Sequence, residues 1–329
     1  MRNRVKELRE RAGLSQEELA KLCKIPRTTL SAIEREMVVP SVSHAIRIAR
    51  ALGCSVEELF PQEEVLRVSP TLREGTTFVA GYVGESIVLH PSFSSFVGHL
   101  IPDGVLKEGE PRFFNRGYLH KTIFFAGCDP LFSSLHHSFK EKGYRVVPYH
   151  ANNTEALYLL KEGFLHVAGV HLGTYQETLE MLKEKVGRGF LVLSAYAWKE
   201  GIISRDPVES LQEVKRGVWL VREKGSGVRD VFDRYIEAKV YREVRGTHWD
   251  MANLIFNGLG DYTVVPLSVA LERGLSFYSL RESDYVLVIR EDTDPLFVKS
   301  LREELKKLTG MALLPLGYTP KRKVEEVVL

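Results

Sequence analysis

Cysteine is scarce in this chain: Cys23, Cys54 and Cys128 are the only three in 329 residues. An odd number of widely separated thiols argues against a disulfide framework and a Cys-based zinc site, and fits a reducing compartment. No apolar run approaches the roughly 20 residues needed to cross a bilayer. The amphipathic opening MRNRVKELRERAG lacks the apolar core of a signal peptide, so the expectation is a cytoplasmic protein with no membrane partner. Charge of one sign is lacking as well. The formal net charge of +2 excludes a polycation, and any nucleic-acid surface must be local; residues 1–62 hold an excess of about +3.

Several catalytic signatures are missing too. There is no GxxxxGK[ST] loop, no GxSxG elbow and no HExxH or HxxxH pair among ten histidines. His136 and His137 are adjacent on a presumed helix and point in different directions, and His166 sits inside an apolar strand. Spacing therefore points to no metal site. Cys128 beside Asp129 at a helix start is placed for a lowered thiol pKa, but the sequence offers it no clear base. A non-enzyme without a cofactor is the expectation. What remains is globular: 44% hydrophobic and 27% charged residues exclude wholesale disorder, and the length allows two or three cores.

The most legible stretch is SQEELAKLCKIPRTTLSAIER, residues 15–35. Ser15 and Glu18 form a capping box, and Leu14 and Leu19 stand at hydrophobic-staple positions. Leu19, Leu22 and Cys23 mark a buried face before Lys24, Ile25 and Pro26 interrupt the helix. A second helix comes next with Leu30 and Ile33 inward, leaving Arg27, Thr28, Thr29, Ser31 and Arg35 outward. Two short helices joined by a tight turn, with small polar and basic residues on the second, fit a major groove. Before them, Val5, Leu8 and Ala12 stripe a first helix. After them, Ser41 opens a helix with Val42, Ala45, Ile46, Ala49 and Leu52 at helical spacing, stopping at Gly53. A second capping box, Ser55 with Glu58, begins a last short helix closed by Pro61.

Over these residues the chain resembles the helix-turn-helix domain of the lambda repressor/Cro class. The resemblance implies that Gln16 contacts DNA backbone while Arg27, Thr28 and Thr29 face base edges of an operator. Pro26 departs from the usual capping Ser, a change tolerated at a first helical turn. Operator geometry implies a homodimer.

In residues 63–120, two β-rich runs on either side of Gly84 predict a hairpin, and residues 91–115 show only short strands or loop. This segment is expected to be a β-containing connector. From Lys121 the pattern becomes strand, turn, helix, repeated, the mark of a mainly parallel, doubly wound sheet with ligands beyond the strand ends. Three stretches then share one sheet edge: Gly127, Cys128 and Asp129, with Asp129 as N-cap and Pro130 in the first helical position; Asn152, Asn153 and Thr154; and residues 171–174, beginning at His171. A strand over 190–197 leads to residues 198–201, which carry the chain to a second lobe, and a strand at 285–289 returns it. Lobe 1 is placed at about 121–197 and 281–329, lobe 2 at about 198–280. In lobe 2, Gly225, Ser226 and Gly227 before a helix expose backbone N–H groups suited to an anion. Ser226 adds a hydroxyl and Arg229 a positive charge one turn on. Thr247 caps a further helix beside His248. Each of these helix starts, taken singly, is commonly a turn or cap that binds nothing.

As an ordered set, AGCDP, HVAGVHL, GSGVRDVFD, the TH pair and NGLGDY resemble the periplasmic-binding-protein-like domain fused to helix-turn-helix domains, similar to molybdate- and tungstate-binding proteins. This second resemblance covers roughly residues 121–318 and leaves the connector at 63–120 outside it; with the all-α five-helix head at 1–62, the expectation is a multidomain protein whose body, 121–329, is a two-lobe type II α/β domain. The resemblance implies that the lobes close on a small ligand, an oxyanion such as molybdate or tungstate, to control the head. Asn153 replaces an expected Gly–Ser pair and Val228 an expected Thr, each removing a hydroxyl. Two alternatives stand beside the sensor: an enzyme or carrier of molybdenum-cofactor metabolism, and a partner-binding regulator whose lobes have lost their ligand.

Overall fold

A computed structural model describes residues 3–60, 64–94, 98–129, 131, 136–238, 240–309 and 314–329. Pro61 and Pro130, both expected at helix boundaries, and the expected domain boundary at residue 62 lie outside the described residues. The chain divides into two compact units, 1–65 and 66–329.

The first unit is five helices: α1 (Val5–Arg11), α2 (Gln16–Cys23), α3 (Arg27–Glu34), α4 (Val42–Leu52) and α5 (Val56–Leu59). Both predicted capping boxes form, Ser15 with Glu18 and Ser55 with Glu58. Ser41 caps α4, which ends at Gly53. The core gathers Val5, Leu19, Leu30, Ile33, Ile48 and Leu59. Three expectations fail. Ala12, expected on the apolar stripe of α1, is exposed at the position that follows the helix. Leu22 is 60% exposed, because the buried residues Leu19, Ala20 and Cys23 span an arc of about 100° and Leu22 falls some 60° outside it. In α4, Val42 and Ile46 are exposed, while Ile48, which spacing did not single out, is buried. A buried ion pair also belongs to this core. The Arg9 Nε donates to Glu34 at 2.6 Å and Gln16 Nε2 donates to the same carboxylate at 2.8 Å, tying α1, α2 and α3 together.

Next comes a five-stranded sheet: β1 (Val65–Val68), β2 (Thr77–Val83), β3 (Ser86–Pro91), β6 (Gly104–Lys107) and β7 (Glu110–Phe113), in the order β1-β3-β2-β6-β7, with β3-β2-β6-β7 antiparallel. Between them, β4 (Phe93–Ser94) pairs with β5 (Gly98–His99). The predicted hairpin is β2–β3. This sheet is packed against the larger sheet rather than strung out as a linker. The Asp103 carboxylate accepts from the Ala80 amide at 2.7 Å and from Arg145 Nη1 at 2.9 Å. Three of its strands have four residues and the β4–β5 pair has only two in each, too short to leave a period in the sequence.

The larger sheet runs β14-β11-β15-β10-β8-β9, with β16 also on β11. Its strands are β8 (Thr122–Gly127), β9 (Arg145–His150), β10 (Val167–Val170), β11 (Phe190–Ser204), β14 (Thr263–Pro266), β15 (Ser276–Arg290) and β16 (Tyr318–Val328). Only β9, β8 and β10 are mutually parallel; β11 and β15 run antiparallel to their neighbours, so the sheet is mixed rather than mainly parallel. Helices α6 (His136–Lys140), α7 (Asn153–Lys161), α8 (Tyr175–Lys185) and α12 (Pro295–Thr309) belong to this half. The pair β12 (Trp219–Arg222) and β13 (Tyr241–Val244), with α9 (Gly227–Tyr235), α10 (His248–Phe256) and α11 (Leu267–Arg273), builds the other around β14. Each half has its own core.

The strands joining the halves are β11 and β15, fifteen residues each and paired along their whole length. Residues 198–201 were expected to carry the chain from a strand at 190–197 to the second lobe, and a strand at 285–289 to return it; both stretches lie in the strands that join the halves, which are continuous and longer than expected. Lys199 and Glu200 read as a break, yet Glu200 is fully buried because His171, Trp198, Arg281 and Ser283 satisfy its carboxylate. Register shifts at Ser194/Tyr196 and Glu200/Gly201 give local bends. At the second, a Cβ on Gly201 would stand 2.2 Å from the Tyr278 carbonyl oxygen. Among the described residues no helix is long and apolar enough to cross a membrane.

Two buried histidines pin the five-stranded sheet to β8 and to the chain leading into β10. His90 Nε2 lies 2.7 Å from the Phe164 carbonyl. His166 accepts the Phe124 amide at Nδ1, which leaves its Nε2–H to donate to the Tyr82 carbonyl at 2.7 Å. Burial lowers both from 6.5 to about 4. The unfolded chain therefore binds more protons between these values, so their contribution is complete above pH 6.5 and is lost as pH falls toward 4. The melting temperature of the second unit should fall over that interval, and the double variant His90→Asn, His166→Asn should flatten the fall in thermal unfolding scans.

Candidate functional site

In the first unit, α3 begins after Pro26, which supplies no capping bond. Arg27, Thr28 and Arg35 are exposed and Thr29 and Ser31 half-buried, so the outward set predicted from spacing shares one helix surface. Gln16 is half-buried, its amide nitrogen engaged by Glu34; its position is fixed by the ion pair that holds the helices together.

In the second unit, chain segments converge from both halves. From lobe 1 come Cys128 after β8, Asn153 at the start of α7 and His171 after β10. From lobe 2 come Arg222 at the end of β12, Ser226 and Gly227 at the start of α9, and His248 at the start of α10. All are buried. The two long strands contribute Trp198 and Glu200 from β11, Arg281 and Ser283 from β15.

Glu200 organises them. One carboxylate oxygen lies 2.5 Å from His171 Nδ1 and accepts from Trp198 Nε1 at 3.3 Å. The other accepts from Arg281 Nε and Ser283 Oγ, both at 2.7 Å. Burial would raise the Glu200 pKa, but His171, Arg281 and Ser283 outweigh it and hold the group down to about 2. Burial likewise opposes charge on His171, yet Cys128 and Glu200 raise it to about 10. His171 is thus a buried cation beside a buried anion. His248 is the opposite: burial, reinforced by Arg222, His171 and His150, pushes it well below 6.5, and neither of its ring nitrogens has a hydrogen-bond partner. Donor atoms of Cys128, His171 and His248 all lie within 4.8 Å of one another. Arg222 Nη1 is also buried without a partner, although its other nitrogens hold Glu223.

The lobes meet across this cluster. The Thr154 amide donates to the Gly225 carbonyl at 3.2 Å, Asn152 Nδ2 to Glu223 at 3.3 Å and Arg281 Nη2 to the Gly227 carbonyl at 3.5 Å. Gly227 is required by this approach, since a Cβ there would stand 2.5 Å from the His171 ring. Two cavities share Thr154 as a wall, one of about 410 Å³ with Asn153, Gly225 and Arg281, the other of about 520 Å³ with Asn152, Glu223 and Arg245.

Several expected residues serve other ends. Arg229 does not face the cluster: its Nε sits 2.9 Å from Asp233 and its Nη1 3.1 Å from Glu243. Thr247 spends its hydroxyl and amide in a capping box with Asp250. Asp129 accepts the Leu131 amide at 2.9 Å, the bond expected of an N-cap, and it also receives the Tyr196 and Tyr318 hydroxyls, while burial raises its pKa. Asn153 is buried and locks the loop after β10, donating to the His171 carbonyl at 2.8 Å. Cys128, His171, Ser226, Gly227 and His248 are brought together. Sequence reading missed Glu200, Arg281, Ser283 and Arg222. A lone carboxylate inside an apolar strand was the available signal for Glu200; the others carry none.

Similarity to known proteins divides along the same line as the fold. Residues 5–59 match a helix-turn-helix model and residues 135–302, about half the chain, match the PBP superfamily domain. Among curated relatives, the uncharacterized HTH-type transcriptional regulator YgzD of Bacillus subtilis is 44% identical over 64 residues, covering 20% of this chain and 97% of that one. The regulator MJ0272 of Methanocaldococcus jannaschii is 38% identical over 64 residues, with the same coverage. Among solved structures, the CcmR regulatory domain of Synechocystis PCC6803 in complex with 2-PG overlaps 58% of this chain and 98% of its own, at 14% identity and a TM-score of 0.46. A binding-protein component of an ABC phosphonate transporter from Pseudomonas aeruginosa overlaps 61% and 81%, at 14% identity and 0.43.

The Glu200 hub yields a stability test. Glu200→Ala leaves Arg281 and His171 without their anion and should cost about 3–5 kcal/mol. Glu200→Ala combined with Arg281→Ala should cost less than the two single losses summed, by about 0.5–3 kcal/mol. Denaturant unfolding of the full chain measures both; strict additivity would mean the pair does not interact.

Proposed function

The chain belongs to the PBP superfamily and carries at its N-terminus the DNA-binding domain of HTH-type transcriptional regulators, and from this premise we propose that a small ligand held between the lobes sets its affinity for an operator. The observation that carries this reading is the meeting of six chain segments from both lobes at one buried cluster, on two strands shared by the lobes. Binding that favours the closed arrangement changes the population of closed and open forms, and the free energy available equals the ligand's differential affinity for them.

For the ligand we propose a small oxyanion of the molybdate or tungstate class. Ser226 makes no side-chain capping bond at the start of α9, which leaves first-turn backbone amides without intrahelical partners, Arg222 has a free guanidinium nitrogen, and His171 is cationic. The missing hydroxyls at Asn153 and Val228 mean that amides and guanidinium, rather than side-chain hydroxyls, would supply the donors. For the head we propose a two-fold operator bound by a homodimer, with Arg27, Thr28 and Thr29 at base edges and Ser31, Arg35 and Gln16 supporting them.

Two outcomes test the reading. Arg27→Ala should weaken specific operator binding by about 1–3 kcal/mol, and wild-type affinity should fall steeply with salt because phosphate contacts dominate it. Gel shifts at several salt concentrations measure both, and an unchanged Arg27→Ala affinity removes this helix as the reading face. Molybdate or tungstate at about 100 times its Kd should stabilise the second unit by about 2.7 kcal/mol, seen as a raised melting temperature that Arg222→Ala reduces. No shift with any oxyanion, with DNA binding intact, selects a ligand-free partner-binding regulator; turnover of a pterin or nucleotide selects an enzyme.

A further inference from the structure

We propose that Cys128, His171 and His248 form a binding site for a thiophilic divalent transition-metal ion, zinc(II) foremost, that bridges the two lobes. The inference uses the interlobe cleft but not the oxyanion, and stands or falls separately from it.

The three donors come from segments far apart in sequence: the end of β8, the loop after β10 and the start of α10. That is why local spacing, which led to the expectation of no metal site, is blind to them. Their ligand atoms lie within 4.8 Å of one another. Bonds of about 2.3 Å to sulfur and about 2.0–2.1 Å to imidazole nitrogen, at tetrahedral angles, require separations near roughly 3.5 Å. The widest gap therefore closes by about 1 Å, within reach of side-chain rotation and slight lobe closure.

A second observation is independent of the clustering. His248 is 2% exposed and both ring nitrogens lack a partner. An unpaired buried polar group of this kind carries an uncompensated desolvation cost, and a metal bond relieves it. A third is the setting of His171. Its Nδ1 is held by Glu200 at 2.5 Å, and Glu200 by Arg281 and Ser283. A carboxylate behind one imidazole nitrogen orients the other, the usual outer support of a metal-bound histidine, and the ion takes the place of the Nε2 proton of the cationic ring while Nδ1–H stays on Glu200.

One thiol and two imidazoles select a borderline or soft ion over magnesium or calcium, which take oxygen donors. Three protein ligands leave a fourth position for water or another small ligand, as in exchangeable rather than closed structural sites. With two ligands in lobe 1 and one in lobe 2, the ion holds the lobes together. The same Cys128, His171 and Glu200 also resemble a thiol nucleophile with its base and orienting acid. That reading gives His248 no part, and His248 decides for the metal.

The test uses the full chain freed of metal with a chelator, then titrated with zinc against a chromophoric competitor, and with cobalt(II) as a spectroscopic probe. The expected result is one equivalent per chain, a thiolate-to-cobalt charge-transfer band, and a zinc-dependent rise in melting temperature. Cys128→Ser should lose the band, and His248→Ala should weaken binding at least about 10-fold. Should His248→Ala fail to fold, His248→Gln serves with the same readouts. Zinc uptake below one equivalent, or affinity unchanged in both Cys128→Ser and His248→Ala, overturns the proposal. Absence of metal uptake together with fast alkylation of Cys128 by iodoacetamide overturns it in favour of the nucleophile. Molybdate titration of metal-free Cys128→Ser runs alongside: retained anion stabilisation there separates loss of the metal site from loss of the oxyanion reading.

Discussion

A carboxylate at the middle of an apolar strand is the constraint on which the larger unit depends. Glu200 lies on β11 among residues buried almost without exception, and an ion so placed costs several kcal/mol unless it is paired and hydrogen-bonded. Arg281 stands directly opposite on β15, Ser283 two residues further along the same strand, Trp198 two residues earlier on β11, and His171 reaches in from lobe 1. Satisfying one side chain thus fixes the pairing of both long strands where they pass between lobes. It also fixes which imidazole nitrogen of His171 faces the cleft. Arg281 reaches the Gly227 carbonyl of lobe 2 as well, so the group that neutralises Glu200 touches both sides of the opening.

How much could be read from the residues depends on how local each signal is. Capping boxes need four consecutive residues, and both formed where Ser15 and Ser55 placed them. The smaller domain, built from short helices with short connections, could be read nearly whole. Its errors, Leu22 and Ile48, are errors of phase: a helix of eight or eleven residues holds a few apolar positions, and tertiary packing chooses the arc among them. In the larger unit the strand–helix alternation showed through where a strand is a run of apolar residues, as in β8 and β10, and not at β13 or β16, which carry several charged residues and were not foreseen. The site itself did not, because its partners are distant. Arg229 looked like an anion ligand by its place after a Gly–Ser–Gly turn, yet Asp233 on the next turn and Glu243 on β13 hold it. Arg222, inside an apolar strand, has the free nitrogen instead. The strand over 190–197 was ended too early, before Lys199 and Glu200, because polarity alone cannot distinguish solvent from a buried, fully bonded ion.

The five-stranded sheet shows the same limit. Its short strands carry little periodicity, and the sheet is secured to lobe 1 by a few polar contacts between remote positions: Asp103 with Arg145, His90 with the Phe164 carbonyl, His166 with the Tyr82 carbonyl. The two imidazoles are buried neutral, each donating Nε2–H to a backbone carbonyl, and the unprotonated Nδ1 of His166 accepts the Phe124 amide. Charging His166 would break that last bond, and charging His90 would place a cation in a buried site. A segment that composition describes as a connector is thereby made part of the body, and its edge strand β1 is the element the chain enters on leaving the helical unit.

The contacts between the lobes differ in kind from those within them. Direct bonds across the cleft, from Thr154, Asn152 and Arg281, are 3.2–3.5 Å long, near the limit for such bonds and weak accordingly. Bonds around Glu200 are 2.5–2.7 Å, apart from that of Trp198. The strands shared by the lobes are thus held by shorter bonds than those that join one lobe directly to the other. His248 and Arg222 bring buried unpaired nitrogens to the cluster, and in the proposed ligand-controlled closure a bound group would remove that cost. Converting a mostly open population into a mostly closed one, from about 1:99 to 99:1, takes about 5.5 kcal/mol of differential affinity. Pairing two buried polar groups and bridging two lobes is a large part of that, and it is available only to a ligand small enough to sit among the side chains already there.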